Sequence, residues 1–487
     1  MTTTAFLGID CGTQSTKAVL VAAEGEQILA VGRADHDIIE RDDGTREQHP
    51  DWWVDALVDS VRSALGSAGA VEIVGIGVSG QQHGMVCLDG ADRPVRPAKL
   101  WNDTTTQPQC DKLTSALGGP EAVLELTGNA FLPGYTAPKV QWLKDHELES
   151  YKKTSHICLP HDFLNLWLTG TYGTEPGDAS GTAYFDVSTR SYSAAVLAEL
   201  DGDRDWDDAL PPIVDSLSVI GILRDSAAEK LALTPGIPVS GGGGDNMCSA
   251  IGVGAVKPGP VVVSLGTSGT GFAFSSTPAV DPLGEAAAFC DSTGAWLPLV
   301  CTLNAAGATE WGRNLFTLDR AGVEGALSDT EPGAGGLVFL PHLGGERTPN
   351  HPSGAGAFAG LRTGHGPNHF MRAVVEGVTF GLRYALKALE RSGIAPAEVT
   401  LVGGGAASES WGQICADIFE LPVARPEVDE AAAIGAALQA RAAVGQQRVT
   451  DWAPRIARRW EPVDHPSLKE SAAAVDELRA AALERGF

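Results

Sequence analysis

Two short segments set a carboxylate or a hydroxyl where an apolar strand breaks into glycine. In AFLGIDCGTQSTK (5–17), Asp10 follows Phe6 to Ile9 and precedes Gly12, Thr13, Gln14, Ser15 and Lys17. In VVVSLGTSGTG (261–271), Ser264 precedes Gly266, Thr267, Ser268 and Gly269. Such a turn can approach a phosphate. Glycine admits the backbone, hydroxyls and N–H groups donate to phosphoryl oxygens, and a carboxylate holds Mg2+ directly or through its waters. A plain hairpin with Asp10 as a local cap is the competing reading of the first segment.

A third segment, IPVSGGGGDN (237–246), ends in Asp245 and Asn246. Phosphoryl transfer needs an attacking hydroxyl held in line, neutralised charge, and somewhere for the hydroxyl proton to go. Asp245 is the candidate acceptor, because four glycines leave nothing bulky to hinder a substrate and a γ-phosphate. An ordinary helix N-cap would also use Asp there, and the two roles are compatible. VTLVGGGAAS (399–408) repeats the strand–glycine–helix plan without a carboxylate, and Gly403, Gly404, Gly405 and Ser408 would let adenosine lie against bare backbone.

These segments form an internal repeat. Strand-to-Gly-Thr turn, glycine run into helix, and a small-residue helix segment (SAIGVGAV at 249–256, AAIGAALQ at 432–439) occur in the same order twice. The Ala and Gly of the third pair would let two helices approach closely at a domain junction, a plausible hinge. Between the landmarks, strand and helix signals alternate. PDWWVDALVDSVRSAL carries Pro50 near a helix start and Trp53, Leu57, Val61 and Leu65 at i+4 spacing, and VEIVGIGVSG reads as a buried strand. The expected architecture is α/β with mostly parallel central strands, in two domains of residues 1–250 and 251–487.

Size agrees, since 487 residues exceed one ordinary core. The formal charge of −26 would repel nucleic acid and anionic membrane, so the expected partner is a small molecule held by local devices. Eight scattered cysteines without CxxC spacing suggest free thiols in a reducing compartment. The N-terminus lacks a basic leader and no segment reaches 18 uninterrupted apolar residues, so a cytoplasmic protein is expected.

The order of the repeats resembles the actin, sugar kinase and heat-shock chaperone superfamily, which holds ATP between two duplicated actin-like, ribonuclease H-like domains. More specifically, GYTAPKVQWLKDH (134–146) and AFAGLRTGHGPNHFMRAVVE (357–376) are similar to the two signatures of the FGGY family of carbohydrate kinases. SGQQHG (79–84), LWND (100–103) and LGGERTP (343–349) resemble its xylulose-phosphorylating members.

The resemblance implies an ATP-dependent sugar kinase with an interdomain cleft, Mg2+ as cofactor, and a possible homodimer. It assigns Asp245 as catalytic base and Asp10 to Mg2+ and phosphate. Gln82, His83, Asn246 and Trp101 would meet the sugar. Gly12, Thr13, Gln14, Lys17, Gly266, Thr267, Ser268, Gly403, Gly404, Gly405 and Ser408 would hold ATP. One departure stands out: the family usually carries an Arg shortly after WND, where this chain has Thr104, Thr105 and Thr106. Kinases of ribulose, gluconate or another polyol are the near alternatives, and a chaperone or filament ATPase the remote one.

Overall fold

The computed structural model describes residues 2–25 and 27–486. Its first half is built on one twisted sheet. Strands β1 (Thr3–Cys11), β2 (Ser15–Ala22) and β3 (Ile28–Asp35) form an antiparallel meander. Helix α1 (Pro50–Ala68) returns the chain to β4 (Val71–Gly80), which lies parallel to β1. Then β5 (Val219–Ile222) pairs antiparallel with β6 (Pro238–Ser240), which runs parallel to β4. The order is β3-β2-β1-β4-β6-β5. Helix α2 (Asp245–Gly252) follows.

The second half repeats this plan. Strands β7 (Pro260–Leu265), β8 (Gly269–Ala273) and β9 (Leu299–Thr302) form the meander. After helix α3 (Pro367–Arg391), β10 (Glu398–Val402) lies parallel to β7, β11 (Val423–Pro426) parallel to β10, and, after helix α4 (Ala431–Ala443), β12 (Ile456–Trp460) antiparallel to β11. The order β9-β8-β7-β10-β11-β12 has the same succession of strand directions as the first sheet, but its last two strands follow the opposite chain order, so β10 takes the position of β4 and β11 that of β6. The expected duplication is present in the fold, with one correction: the paired segments 237–246 and 399–408 leave non-equivalent strands, and the positional counterpart of Glu398–Val402 is Val71–Gly80.

Local sequence explains the elements that matter most. On α1 the stripe Trp53, Val54, Leu57, Val61 and Ala64 is buried, while Leu65 is half-buried. A strict i+4 series drifts off a 3.6-residue face, so Ala64 takes the place that Leu65 was expected to fill. In β4, a buried run reaches to Gly80, as suits an interior parallel strand covered on both faces.

Helices α2 and α4 meet through glycine. A Cβ on Gly435 would stand 1.8 Å from the Cys248 carbonyl oxygen, and one on Gly252 would stand 2.0 Å from that of Ala431. The close approach expected of the two small-residue segments is thus real. Helix α4 also lies on the first sheet, where a Cβ on Gly8 would fall 1.8 Å from the Ala433 carbonyl oxygen. An element from late in the chain is therefore fastened to the early domain. No helix among the described residues is long and apolar enough to cross a membrane.

Candidate active site

The two matching hairpins face a cavity of about 460 Å³. Its lining joins Asp10, Gln82, His83, Trp101, Asp245 and Asn246 from the first half to Ser264, Gly266, Thr267 and Ser268 from the second. All six residues expected at the chemistry and the sugar reach this wall. Of those expected to hold ATP, only Gly266, Thr267 and Ser268 line it.

Asp245 is the first residue of α2 and Gly244 precedes it as N-cap, so Asp245 does not cap its helix. Its Oδ1 accepts from the Asn246 N–H at 2.8 Å and from Asn246 Nδ2 at 2.9 Å. Asn246 Nδ2 also donates to Gln82 Oε1 at 3.0 Å, which ties the carboxylate to the end of β4. The preceding glycines serve a different purpose from the one their position suggested. A Cβ on Gly242 would meet the Val78 carbonyl oxygen at 2.4 Å, one on Gly243 would meet Ser292 Oγ at 2.6 Å, and one on Gly244 would meet Gln82 at 2.8 Å. They let the protein close on itself beneath Asp245; they do not clear space for a ligand.

Burial, then the negative charges of Asp10 and Asp178, push the Asp245 carboxyl up to about 7, against weaker pulls from backbone N–H groups. Asp10 ends β1, and its Oδ1 accepts from Ser79 Oγ at 2.9 Å. Burial raises its pKa as well, partly offset by that hydroxyl and by Lys17.

Lys17 sits opposite Asp10 in the ladder, but its ammonium is held by Glu430 at 2.5 Å. Thr13 Oγ1 accepts from the Trp101 indole N–H at 2.9 Å, and its carbonyl accepts from Gln48 Nε2 at 2.7 Å. Gln14 is exposed, and the Gly12 N–H donates to the Ser15 carbonyl within the turn at 3.1 Å.

In the second hairpin the carbonyl of Gly266 accepts from Ala306 N at 2.8 Å, and that of Thr267 from Gly307 N at 3.0 Å. Next to it, Gly403 (φ 84°) and Gly405 are pressed against Leu265, whereas Gly404 is exposed with open space around its Cα. Ser408 Oγ accepts from Trp411 N at 3.0 Å and so caps the following helix. Gly403 and Gly404 both present exposed backbone, and Gly404 also has open space beyond its Cα.

His83 adopts φ 65°, a conformation an ordinary side chain rarely takes and one that needs outside support. Lys139 supplies it: buried in the helix of the 134–146 segment, its ammonium donates to the carbonyls of His83 and Gly134, both at 2.7 Å. The His83 ring lies 4.7 Å from that of Tyr135 and 5.7 Å from that of Phe289. Burial and the nearby charges of Lys139 and Arg347 hold its pKa well below the usual value, so the imidazole is neutral at pH 7.

The matches to known proteins follow the same division into halves. Residues 5–252 match the N-terminal domain of the FGGY family of carbohydrate kinases, and residues 261–444 match its C-terminal domain. The chain belongs to this family. It is an ATP-dependent sugar kinase. It is 39% identical over 448 residues to the xylulose kinase of Haemophilus influenzae, covering 91% of each chain. It is also 39% identical to the xylulose kinase of Streptomyces coelicolor, covering 95% of this chain and 92% of that one. A Brucella ovis structure described as a xyloylose kinase superposes with a TM-score of 0.92 at 34% identity, over 99% of both chains.

Two features of this FGGY kinase escaped the sequence reading. One is a buried acidic cluster beneath Asp245. His161 Nδ1 lies 2.5 Å from Asp178 Oδ2, and Glu175 accepts from Ser216 Oγ at 2.6 Å and Ser292 Oγ at 3.1 Å. Burial pushes Asp162 up to about 7 and Asp178 well above the usual carboxylate range. Glu175 and Asp178 lie in the glycine-dotted stretch GTYGTEPGDASG (170–181), but no strand or motif ties them to His161 and Asp162, and their meeting in space makes them a group. The other is Arg347, a cation on the cavity wall. It sits inside the LGGERTP segment, which gave no sign of where its charge would point.

Proposed function

We propose that this kinase transfers the γ-phosphoryl group of ATP to the terminal hydroxyl of D-xylulose, giving D-xylulose 5-phosphate, with Asp245 as general base. One observation carries the reading: a single cavity joins a carboxylate poised near neutrality to Gln82, His83 and Asn246 on one wall and to the glycine hairpin of Gly266, Thr267 and Ser268 on the other. The xylulose kinases among its relatives support the choice of sugar. So does SGQQHG, which places Gln82 and the neutral His83 at the wall.

Asp245 accepts the proton of the attacking hydroxyl, and Asn246 and Gln82 keep its carboxylate oriented. The N–H groups of Gly266, Thr267 and Ser268 grip the phosphates, since the carbonyls of Gly266 and Thr267 are turned toward Ala306 and Gly307. Gly12 and Thr13 shape the facing hairpin, and Gly404 lies where adenosine would be covered. Lys17 and Ser408 act as structural supports of these loops.

Among the described residues no group of three or more His, Cys, Asp or Glu could hold a metal ion alone. That fits Mg2+, which is carried largely by nucleotide phosphates and water with one or two carboxylates. Asp10, facing the cavity with one oxygen on Ser79, suits that ligand role. When bound, Mg2+ neutralises charge on the phosphate oxygens. The spans 1–250 and 251–487 supply the two bodies that close on the sugar, except that α4, packed on the first sheet, stays with the first body. Eight buried, unpaired cysteines suit a reducing cytoplasm.

A panel of ketoses, aldoses and polyols with MgATP, read by ADP release, tests the substrate. D-xylulose is expected to give the highest kcat/KM; preference for ribulose or gluconate by tenfold or more would move the assignment to that sugar. The pH profile tests the base. A carboxylate is active only when deprotonated, so kcat/KM for the sugar should fall about tenfold per pH unit below a midpoint near 7. A profile flat to pH 5.5 would contradict this role for Asp245.

A further inference from the structure

The cavity wall carries three acids, Asp10, Asp245 and Glu285, and among the described lining residues Arg347 is the one Lys or Arg. Its guanidinium makes no salt bridge among the described residues. Some half-buried or buried arginines reach a carboxylate, as Arg96 does Glu47 at 2.5 Å and Arg391 does Asp281 at 3.0 Å, whereas Arg190 and Arg204 are satisfied by backbone carbonyls. A partly desolvated guanidinium without an acid partner loses hydration and gains little in return, unless a ligand completes its hydrogen bonds.

Its backbone, by contrast, is fixed. The Glu346 carboxylate accepts from Leu303 N at 2.5 Å, from Asn304 Nδ2 at 2.9 Å and from Arg347 N at 2.8 Å. Thr348 Oγ1 donates to the Cys301 carbonyl at 2.9 Å. The loop is thus moored to the end of β9, and the side chain extends into the cavity beside the Tyr135 hydroxyl and the Cys301 thiol, neither of which is a charge partner.

The charge of Arg347 acts on His83 and Tyr135, whose rings touch each other. Asp245 is linked to that region through Asn246 and then Gln82. Arg347 therefore faces the sugar site beside His83 and Tyr135. A guanidinium is a rigid fork of five donors with no acceptor, matched to two oxygens on neighbouring atoms.

We propose that Arg347 binds the 1-hydroxy-2-keto end of a ketose, reaching from the second domain to a sugar otherwise held by the first. This rests on the reading of the substrate as a ketose. The contact spans the two domains, so the sugar itself helps draw the cleft shut.

The test uses the full-length enzyme, the ketose it turns over and the 1-deoxy analogue of that ketose. Arg347→Met is expected to raise KM for the sugar about 10–100-fold, the loss of a charge-assisted hydrogen bond, with KM for ATP within about twofold. Arg347→Lys should recover part of the loss. The wild type should discriminate against the 1-deoxy analogue, and Arg347→Met should remove that discrimination, a coupling that a merely structural role would not produce. An unchanged sugar KM, a raised KM for ATP alone, or discrimination that survives the substitution would overturn the proposal. Should Arg347→Met not fold, Arg347→Lys and the wild-type preference decide: equal use of both sugars overturns it. If the wild type turns over no ketose, the substrate reading fails together with this contact. If ketoses are used and Arg347→Met is indifferent to them, the contact alone fails.

Discussion

Asp245→Asn lowers kcat by about 10²–10⁴-fold while ATP and ADP bind with affinities within about threefold of wild type. The amide keeps the shape and can still accept one hydrogen bond from Asn246, but it cannot take a proton. The same substitution should raise thermal stability at pH 8. Folding raises the carboxyl from an ordinary 3.8 to about 7. Below the lower value it is neutral in both states and costs nothing. Between the two values the folded state holds a proton that the unfolded chain has released, and above the upper one the full cost of a buried charge is present. Asn removes that cost, so Tm at pH 8 rises by about 2–4 °C for each kcal/mol relieved, with no gain at pH 3.5. Calorimetry and stopped-flow nucleotide binding check both halves. Near-normal turnover would remove Asp245 from the chemistry, and a lower Tm at pH 8 would mean its charge is stabilised in the fold.

Gly435→Val is expected to abolish activity and to cost more than about 3 kcal/mol of stability. The position is built for contact between backbones: a Cβ there would stand 1.8 Å from the Cys248 carbonyl oxygen, inside α2, three residues after Asp245. Helix α4 has little freedom to retreat, because its other side is pressed into β1 at Gly8 and into β4 at Gly77, where a Cβ would stand 1.9 Å from the Ala436 carbonyl oxygen. The strain must therefore fall on α2 and on the placement of its first residue. Urea unfolding monitored by fluorescence and circular dichroism measures it. A Gly435→Val protein melting within about 2 °C of wild type would show that the helices part freely.

Much of this architecture is legible in the chain because duplication writes the same physics twice. A strand that breaks into a tight turn leaves Gly-Thr, as at Gly12–Thr13 and Gly266–Thr267, and the two sheets built on these turns share the opening meander and the succession of strand directions. Asp245 was readable because it ends a glycine run, whereas Gln82 and His83 were named through the resemblance of SGQQHG; all three line the cavity.

The role of individual glycines was less readable. Gly242 to Gly244 and Gly403 look like ligand space in the sequence, but their missing Cβ atoms make room for Val78, Ser292, Gln82 and Leu265. A sequence shows that bulk is absent without showing what occupies the space. Lys17 was misleading for a related reason: a cation two residues from a phosphate turn is invisible as the partner of Glu430, some 400 positions later. Of the first signature Tyr135 lines the cavity, while the charged residues of both signatures act away from it. Lys139 of the first supports the strained backbone of His83, and Arg372 of the second is buried against Glu376 at 2.7 Å in the core of the second domain. Neither lines the cavity.

The central claim is direct transfer of phosphate from ATP to a sugar hydroxyl held at Asp245. The phosphorus-coupled carbon NMR spectrum of the product formed from D-xylulose and MgATP examines this most directly. Splitting at C4 and C5, with one ester formed per ADP released, is the expected result. ADP accompanied by inorganic phosphate and unmodified sugar, or an ester on any oxygen other than O5, would contradict the account.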